Sequence, residues 1–222
     1  RKGDYMAQIA ANKLGARRLQ ELFTKWTREQ VSEGCTRIIE AVTRRMRAGI
    51  ADLPDGKYEF TDVLDDDGMG TTNIPICVKI DIQSDEIWLN FEGSASQVAG
   101  NMNNSFAGLQ ASVLFALKVL IDPDGPTNHG MLGPVHIDAP EASVVNASFP
   151  AATAARAQTC QRIIDVILGA LAPAVPERVI AACNGANGVA TFSGEGPDGQ
   201  YYLYMETIGG GAGGRSYQDG SD

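Results

Sequence analysis

The sequence predicts a mixed α+β fold, with short mixed sheets around two buried apolar helices and an N-terminal helical hairpin. Three observations carry this. Apolar residues recur at helical spacing over the first fifty positions, and the period drops to two between residues 57 and 92. Two later stretches, 106–121 and roughly 150–172, are long and apolar enough for core helices, and short alternating runs follow them. At 222 residues, with 44% apolar and 20% charged, the chain can bury about 70% of its unfolded surface without staples. That composition excludes intrinsic disorder.

Residues 5–26 read as a first helix, with Met6, Ile9, Leu14, Leu19, Leu22 and Trp26 among its apolar positions. Thr27-Arg28-Glu29-Gln30 fits a capping box, in which a threonine hydroxyl and a glutamine amide satisfy orphan backbone N–H groups. Val31, Cys35, Ile38, Ile39, Val42, Met46 and Ile50 then form the stripe of a second helix, which closes the hairpin at residues 1–52. Leu53-Pro54-Asp55-Gly56 turns the chain into the body, residues 53–222, the remainder of one composite region truncated at both ends. Strands are expected at 57–61, 74–83 and 86–92, the last two joined across Ser84-Asp85.

Phe106–Ile121 carries one charge, Lys118, and reads as a core helix. Val135–Ala139 is a strand ended by Pro140. Ser148-Phe149-Pro150 suggests the start of another helix, with serine as cap, running to Ala172. Strands follow at 179–183, 189–192 and 201–208.

Charge is unevenly spread. Residues 1–50 carry net +6 and residues 51–222 net −15. The basic residues interleave with a helical apolar stripe and lack clustered aromatics, so a basic helical pair resting on an acidic body or partner is expected rather than a nucleic-acid arm. No apolar stretch reaches the ~20 residues that span a bilayer, so no membrane role is expected. The four cysteines lie far apart with no CxxC, which suits free thiols in a reducing cytoplasm.

Four features could carry chemistry. Gly209-Gly210-Gly211-Ala212-Gly213-Gly214 follows a strand and could present backbone N–H groups to an anion, or simply allow a tight crossing. Asn90, Ser94, Ser96, Gln97, Asn101, Asn103 and Asn104 supply neutral donors and acceptors for a ligand or for neighbouring backbone. Asp65-Asp66-Asp67-Gly68 resembles the opening of a calcium loop, but Ile76 stands where the bidentate glutamate belongs, so an acidic turn is the better reading. His136 and Asp138 would share one face of a strand, while His129 sits in a turn.

Several spaced blocks resemble the hydantoinase B family. They are Gly3-Asp4 with Ala7 through Asn12, Leu53 through Gly56 with Tyr58, and Phe91-Glu92-Gly93-Ser94-Ala95-Ser96-Gln97-Val98. Pro126 through Gly130, Ala139-Pro140-Glu141, Thr159-Cys160-Gln161-Arg162 and the glycine loop with Asp219-Gly220 continue the series. The resemblance covers essentially the whole chain and looks like a C-terminal portion of the subunit. It departs from the family pattern at Asn90, usually Asp, and at Ala95 or Ser96, often Pro.

The resemblance implies part of a cytoplasmic, ATP-dependent cyclic-amide hydrolase that opens hydantoin, oxoproline or lactam rings. It also implies a hydantoinase A-type partner subunit that holds the ATP, and a hetero-oligomer with a dimerised core. A divalent metal, zinc or manganese, is expected on an upstream segment, with no metal ligand in this chain. A ketone carboxylase of the acetone or acetophenone type is the alternative implied by the same family, and a noncatalytic scaffold that docks partner subunits is a third. No catalytic residue is assigned. Gln97, Asn101, Asn128 and the glycines Gly209, Gly210, Gly211, Gly213 and Gly214 are the residues expected to contact substrate or the partner's phosphate.

Overall fold

The computed structural model describes residues 2–185 and 188–221. Helix α1 (Lys2–Lys25) leads into α2 (Arg28–Ala51) through Thr27. The capping box forms: the Thr27 hydroxyl accepts from Gln30 N at 3.2 Å, and Gln30 Oε1 accepts from Thr27 N at 2.9 Å. The two helices do not pack along their lengths. α2 buries Val42, Met46 and Ile50, whereas α1 buries no residue and leaves most of its apolar side chains exposed.

Strands β1 (Gly56–Asp66), β2 (Thr72–Gln83) and β3 (Glu86–Asn90) form an antiparallel meander, and β4 (Val135–Asp138) adds to β3 in parallel. The sheet order is therefore β1-β2-β3-β4. β2 shows why the sheet has one dry face. Ile74, Ile76, Val78, Ile80 and Ile82 alternate inward, while Lys79 and Gln83 point to solvent. Helices α3 (Phe106–Ile121) and α4 (Arg156–Leu171) form the facing layer and supply Leu109, Val113, Leu117, Ile163, Val166 and Ile167 to the same core. α3 is capped by Ser105, whose hydroxyl accepts from Gly108 N. Its outer side, at Phe106, Phe115 and Val119, remains exposed, so the body covers it on one side only.

Two expected elements differ. α4 begins at Arg156 rather than near Pro150, because residues 149–155 spend their backbone groups on another loop. The Ala152 carbonyl accepts from Asn103 Nδ2, and Ala155 N donates to the Asn101 carbonyl. Residues 179–183 are not a strand but an irregular segment lying against the glycine loop. Beyond it, β5 (Gly188–Glu195) and β6 (Tyr201–Ile208) form a separate two-stranded hairpin, exposed on both faces.

The basic residues divide as the helices do. On α2, Arg45 pairs with Asp122 at 2.5 Å, and Arg47 reaches Asp85 at 3.1 Å and Glu86 at 3.0 Å. The second helix thus rests its charge on the acidic body. α1 does not: its Arg17 and Arg18 pair with Glu21 of the same helix. Among the described residues no helix is long and apolar enough to cross a membrane.

Candidate functional site

A cavity of about 330 Å³ opens between the acidic turn after β1, the loop before α3, the first turns of α4 and the Asn184-Gly185 segment. Asn101, Gln158 and Arg162 line it together with Asp65 and Asp66.

The acidic turn is held by Asp67. Its Oδ1 accepts N–H groups from Met69 and Thr71, both at 2.9 Å, and its Oδ2 accepts from Gly100 N at 3.0 Å. Burial pushes this carboxyl up, yet the backbone donors outweigh burial and hold it below the usual carboxylate range. The calcium-like turn is therefore a clamp that spends its central carboxylate on backbone. Gly100 is required at the clamp, since a Cβ there would lie 2.0 Å from the Asp67 carbonyl oxygen. Asn103 completes the loop: its Oδ1 accepts from Val98 N, and its Nδ2 faces the carbonyls of Val98, Gly100 and Ala152 at 2.9–3.0 Å. Together these bonds fix the backbone that presents Asn101, whose exposed side chain makes no hydrogen bond among the described residues.

Arg162 is the sole basic residue lining the cavity among the described residues. Its Nη1 lies 2.5 Å from Asp62 Oδ2 and 3.7 Å from Asp165 Oδ2. Arg162 Nε and Asp165 Oδ2 are buried without a hydrogen-bond partner. Burial pushes the Asp165 carboxyl up, against the pull of Arg162. One guanidinium thus faces Asp62 and Asp165, with Asp65 and Asp66 nearby, and the local field is negative. Such a field opposes a bare phosphate and suits a neutral amide or a positively charged amine.

The structure brings two of the expected contact elements to this cavity. Asn101 lines it directly. The glycine loop backs it, because Ala181 N donates to the Gly214 carbonyl at 2.9 Å and Asn184 N to the Gly211 carbonyl at 3.4 Å. A Cβ at Gly213 would meet the Ala181 carbonyl oxygen at 1.9 Å, and one at Gly210 would meet Asn184 Nδ2 at 1.9 Å. The loop's glycines therefore serve a close backbone crossing that carries Asn184 and Gly185 to the cavity wall. Gly209 has open space around it.

Gln97 and Asn128 line other parts of the fold. Gln97 Oε1 accepts from Ser148 N at 2.9 Å and ties two loops together. Asn128 Oδ1 accepts from Gly130 N at 2.8 Å and caps the 3₁₀ turn His129–Leu132, which docks on α2 through Thr43. His136 and Asp138 do share a face, but each is engaged separately. His136 stacks on Trp88 at 4.8 Å and contacts Glu86 Oε2 at 3.0 Å, while Asp138 accepts from Asn90 Nδ2 at 3.3 Å. Among the described residues no group of three or more His, Cys, Asp or Glu side chains is placed to hold a metal ion. The described residues therefore offer no donor set for a metal centre.

Sequence reasoning missed Asp62, Gln158, Asp165 and Asn184, and met Arg162 only inside a motif. A signal existed: Arg162 and Asp165 stand three apart on a helix otherwise rich in buried apolar residues, and such a pair must be mutually compensated or used.

The polar clamp loop, the TCQR segment of α4 and the glycine crossing lie within a match to known proteins that takes in the whole chain. Over residues 1–222 the chain matches the model of the hydantoinase B/oxoprolinase family. It belongs to that family. The B-type subunit of a putative D-/L-hydantoinase from Pseudomonas sp. is 32% identical over 99% of this chain and 39% of its own length. The crystal structure of the ATP-dependent caprolactamase from Pseudomonas jessenii superposes with a TM-score of 0.84 at 29% identity, over 99% of this chain and 38% of that one. A nucleotide-free acetone carboxylase structure matches at TM-score 0.74 and 15% identity, over 91% of this chain and 29% of that one, which is a likeness of fold. This hydantoinase B chain thus spans under two fifths of these relatives.

Proposed function

We propose that this chain is part of the hydantoinase B-type subunit of an ATP-dependent enzyme that opens a cyclic amide. The observation that carries the reading is the family match over residues 1–222 together with the superposition on ATP-dependent caprolactamase. A ring amide is a poor electrophile, and transfer of a phosphoryl group from ATP would activate it once water is kept away from the intermediate. The nucleotide belongs to a hydantoinase A-type partner subunit, and the complex is cytoplasmic, in keeping with four free thiols. A divalent ion is assigned to the rest of the subunit, and no step of the reaction is derived through it on these residues.

Within that reading, Asn101 and Gln158 are placed to hydrogen-bond an amide, and the carboxylates around Arg162 favour the amine that ring opening releases. The phosphate-contacting role expected of the glycine loop is the weaker one in this acidic surrounding. ATP-dependent ring opening of hydantoins, 5-oxoproline and caprolactam by the intact complex tests the proposal; inactivity on all of them argues against it. Bicarbonate-dependent consumption of acetone or an aryl ketone would instead favour the carboxylase reading, which rests on fold alone. Charge reversal at Arg45 and Arg47 does not test the scaffold reading. Both residues hold the chain to itself, so reversing them would damage the fold before it reported on docking.

A further inference from the structure

The ion pair at Arg162 divides two cavities. Arg162 lines the cavity described above, whereas its partners Asp62 and Asp165 line a second one of about 280 Å³. The remaining wall of this second cavity is apolar or small. Phe60 comes from β1, Gly169 and Ala172 from α4 and its end, and Pro176, Val179 and Ile180 from the segment that follows. Among the described residues no basic side chain lines it.

Two carboxylates meet one guanidinium here, so the cluster carries a net negative charge when all three groups are ionised. The deficit falls on Asp165. Its side chain is only 7% exposed, its Oδ2 has no hydrogen-bond partner, and Arg162 Nη1 stays 3.7 Å away. The backbone of Cys183 supports the carboxyl, yet burial outweighs both and pushes it up. A buried anion so thinly compensated is costly unless a positive group completes it. Asp62 is the accessible member of the pair, with about a third of its side chain exposed. Its Oδ1 accepts from Val63 N at 2.8 Å and its Oδ2 from Arg162. Each carboxylate oxygen has two lone pairs, so Asp62 can accept a further donor.

The walls say which cation fits. A Cβ at Gly169 would lie 2.8 Å from Phe60 Cδ1, so the glycine lets this partly exposed ring rest on α4. An aromatic ring attracts a cation over its face, and the aliphatic wall rewards an apolar body. An inorganic cation would leave that wall unused, and an anion is repelled by both carboxylates. The volume lies just below the usual range for ligand pockets, which limits the body to a short chain. We propose that this cavity binds a small primary alkylammonium ion. Its ammonium group bonds Asp62 with the Asp165 charge behind it, and its chain lies against Phe60, Val179 and Ile180. The site is distinct from the amide-contacting cavity and holds for either chemistry.

The test uses two probes of like length that differ in charge, n-butylammonium and 1-butanol, titrated into the intact complex with the methyl groups of this subunit labelled. Butylammonium should shift the Ile180 and Val179 methyl resonances saturably, and 1-butanol should bind at least about tenfold more weakly. Asp62→Asn keeps the shape of the side chain and its acceptor for Val63 N, and should weaken butylammonium by a similar factor. Ala172→Leu keeps every charge but narrows the cavity, and should weaken both probes. Circular dichroism checks that each variant folds, and the comparison of the two probes on the parent needs no variant. No saturable shift at Ile180, equal binding of the alcohol, or full butylammonium affinity in folded Asp62→Asn overturns the proposal.

Discussion

Replacing Asn103 by alanine should be among the most damaging single changes to the cavity, although its side chain lies nowhere on the surface. Asn103 is fully buried and its amide meets four backbone groups: Val98 N at 2.8 Å, and the carbonyls of Val98, Gly100 and Ala152 at 2.9, 3.0 and 3.0 Å. An NH₂ group has two hydrogens, so three carbonyls share two donors, and the amide supplies about three hydrogen bonds' worth of stabilisation. At about 1 kcal/mol net each, that is about 3 kcal/mol. Gly100 is itself buried, so its orphaned carbonyl adds to the loss, whereas Ala152 is exposed and water can replace its donor. The total is about 3–4 kcal/mol. In urea, with a slope of about 2–3 kcal/mol/M, the midpoint should fall by roughly 1–2 M with the slope unchanged. Hydrogen exchange at Val98 and Gly100 should accelerate more than exchange in β2. Asn103→Asp should fare no better, because it removes the donors and adds a charge. A midpoint within about 0.3 M of the parent would refute the reasoning, since such a shift is below the worth of one hydrogen bond.

Arg162→Met should cost about 2–3 kcal/mol at neutral pH, less than a fully buried pair because Asp62 is about a third exposed; the deficit should shrink in acid, where the Asp165 carboxyl, pushed up by burial, protonates and needs no counter-ion, and a urea series across pH reads this. Asp67 has a folded-state value below its unfolded one, so its contribution is present above the ordinary carboxylate range and is lost as pH falls through the lowered value. Asp67→Asn should therefore flatten the acid limb of the stability profile, and an unchanged limb would count against the clamp. Gly213→Ala should part the glycine loop from Ala181 and speed amide exchange at Ala181 and Asn184 while leaving β2 protected, as measured by mass spectrometry. In the intact complex, Asn101→Ala should lower turnover of the cyclic amide while leaving the urea midpoint unmoved, because its side chain supports nothing else.

Periodicity was a sound guide wherever one physical cause dominated. α3 and β6 occur with the bounds read from their patterns, and the β2–β3 hairpin turns at Ser84-Asp85 as expected. It failed where long-range backbone demands overrode a local signal. Ser148-Phe149-Pro150 has the chemistry of a helix start, but Asn101 and Asn103 claim the following backbone groups from across the fold. Residues 179–183 have strand-like side chains, yet the glycine loop is their partner and a ladder does not form. α1 has the composition of a packed helix, and nothing in a local pattern says that the body leaves it uncovered. The asparagine run was equally open to ligand or backbone use; the fold spends Asn103 on backbone and leaves Asn101 outward, a division that spacing does not encode.

The clamp has a consequence for how anything enters the cavity. On one side, Asp67, Gly100 and Asn103 weld the acidic turn to the Asn101 loop and to the hydrophobic interior, so that wall moves only if much of the body melts. On the other, the Asn184 segment is tied both to the glycine crossing, by the Ala181 and Asn184 main-chain bonds, and to α4, where the Cys183 backbone meets the Asp165 carboxylate. That wall is shared between the glycine crossing and α4, so a force applied to the crossing in an assembly is passed directly to the lining of the cavity.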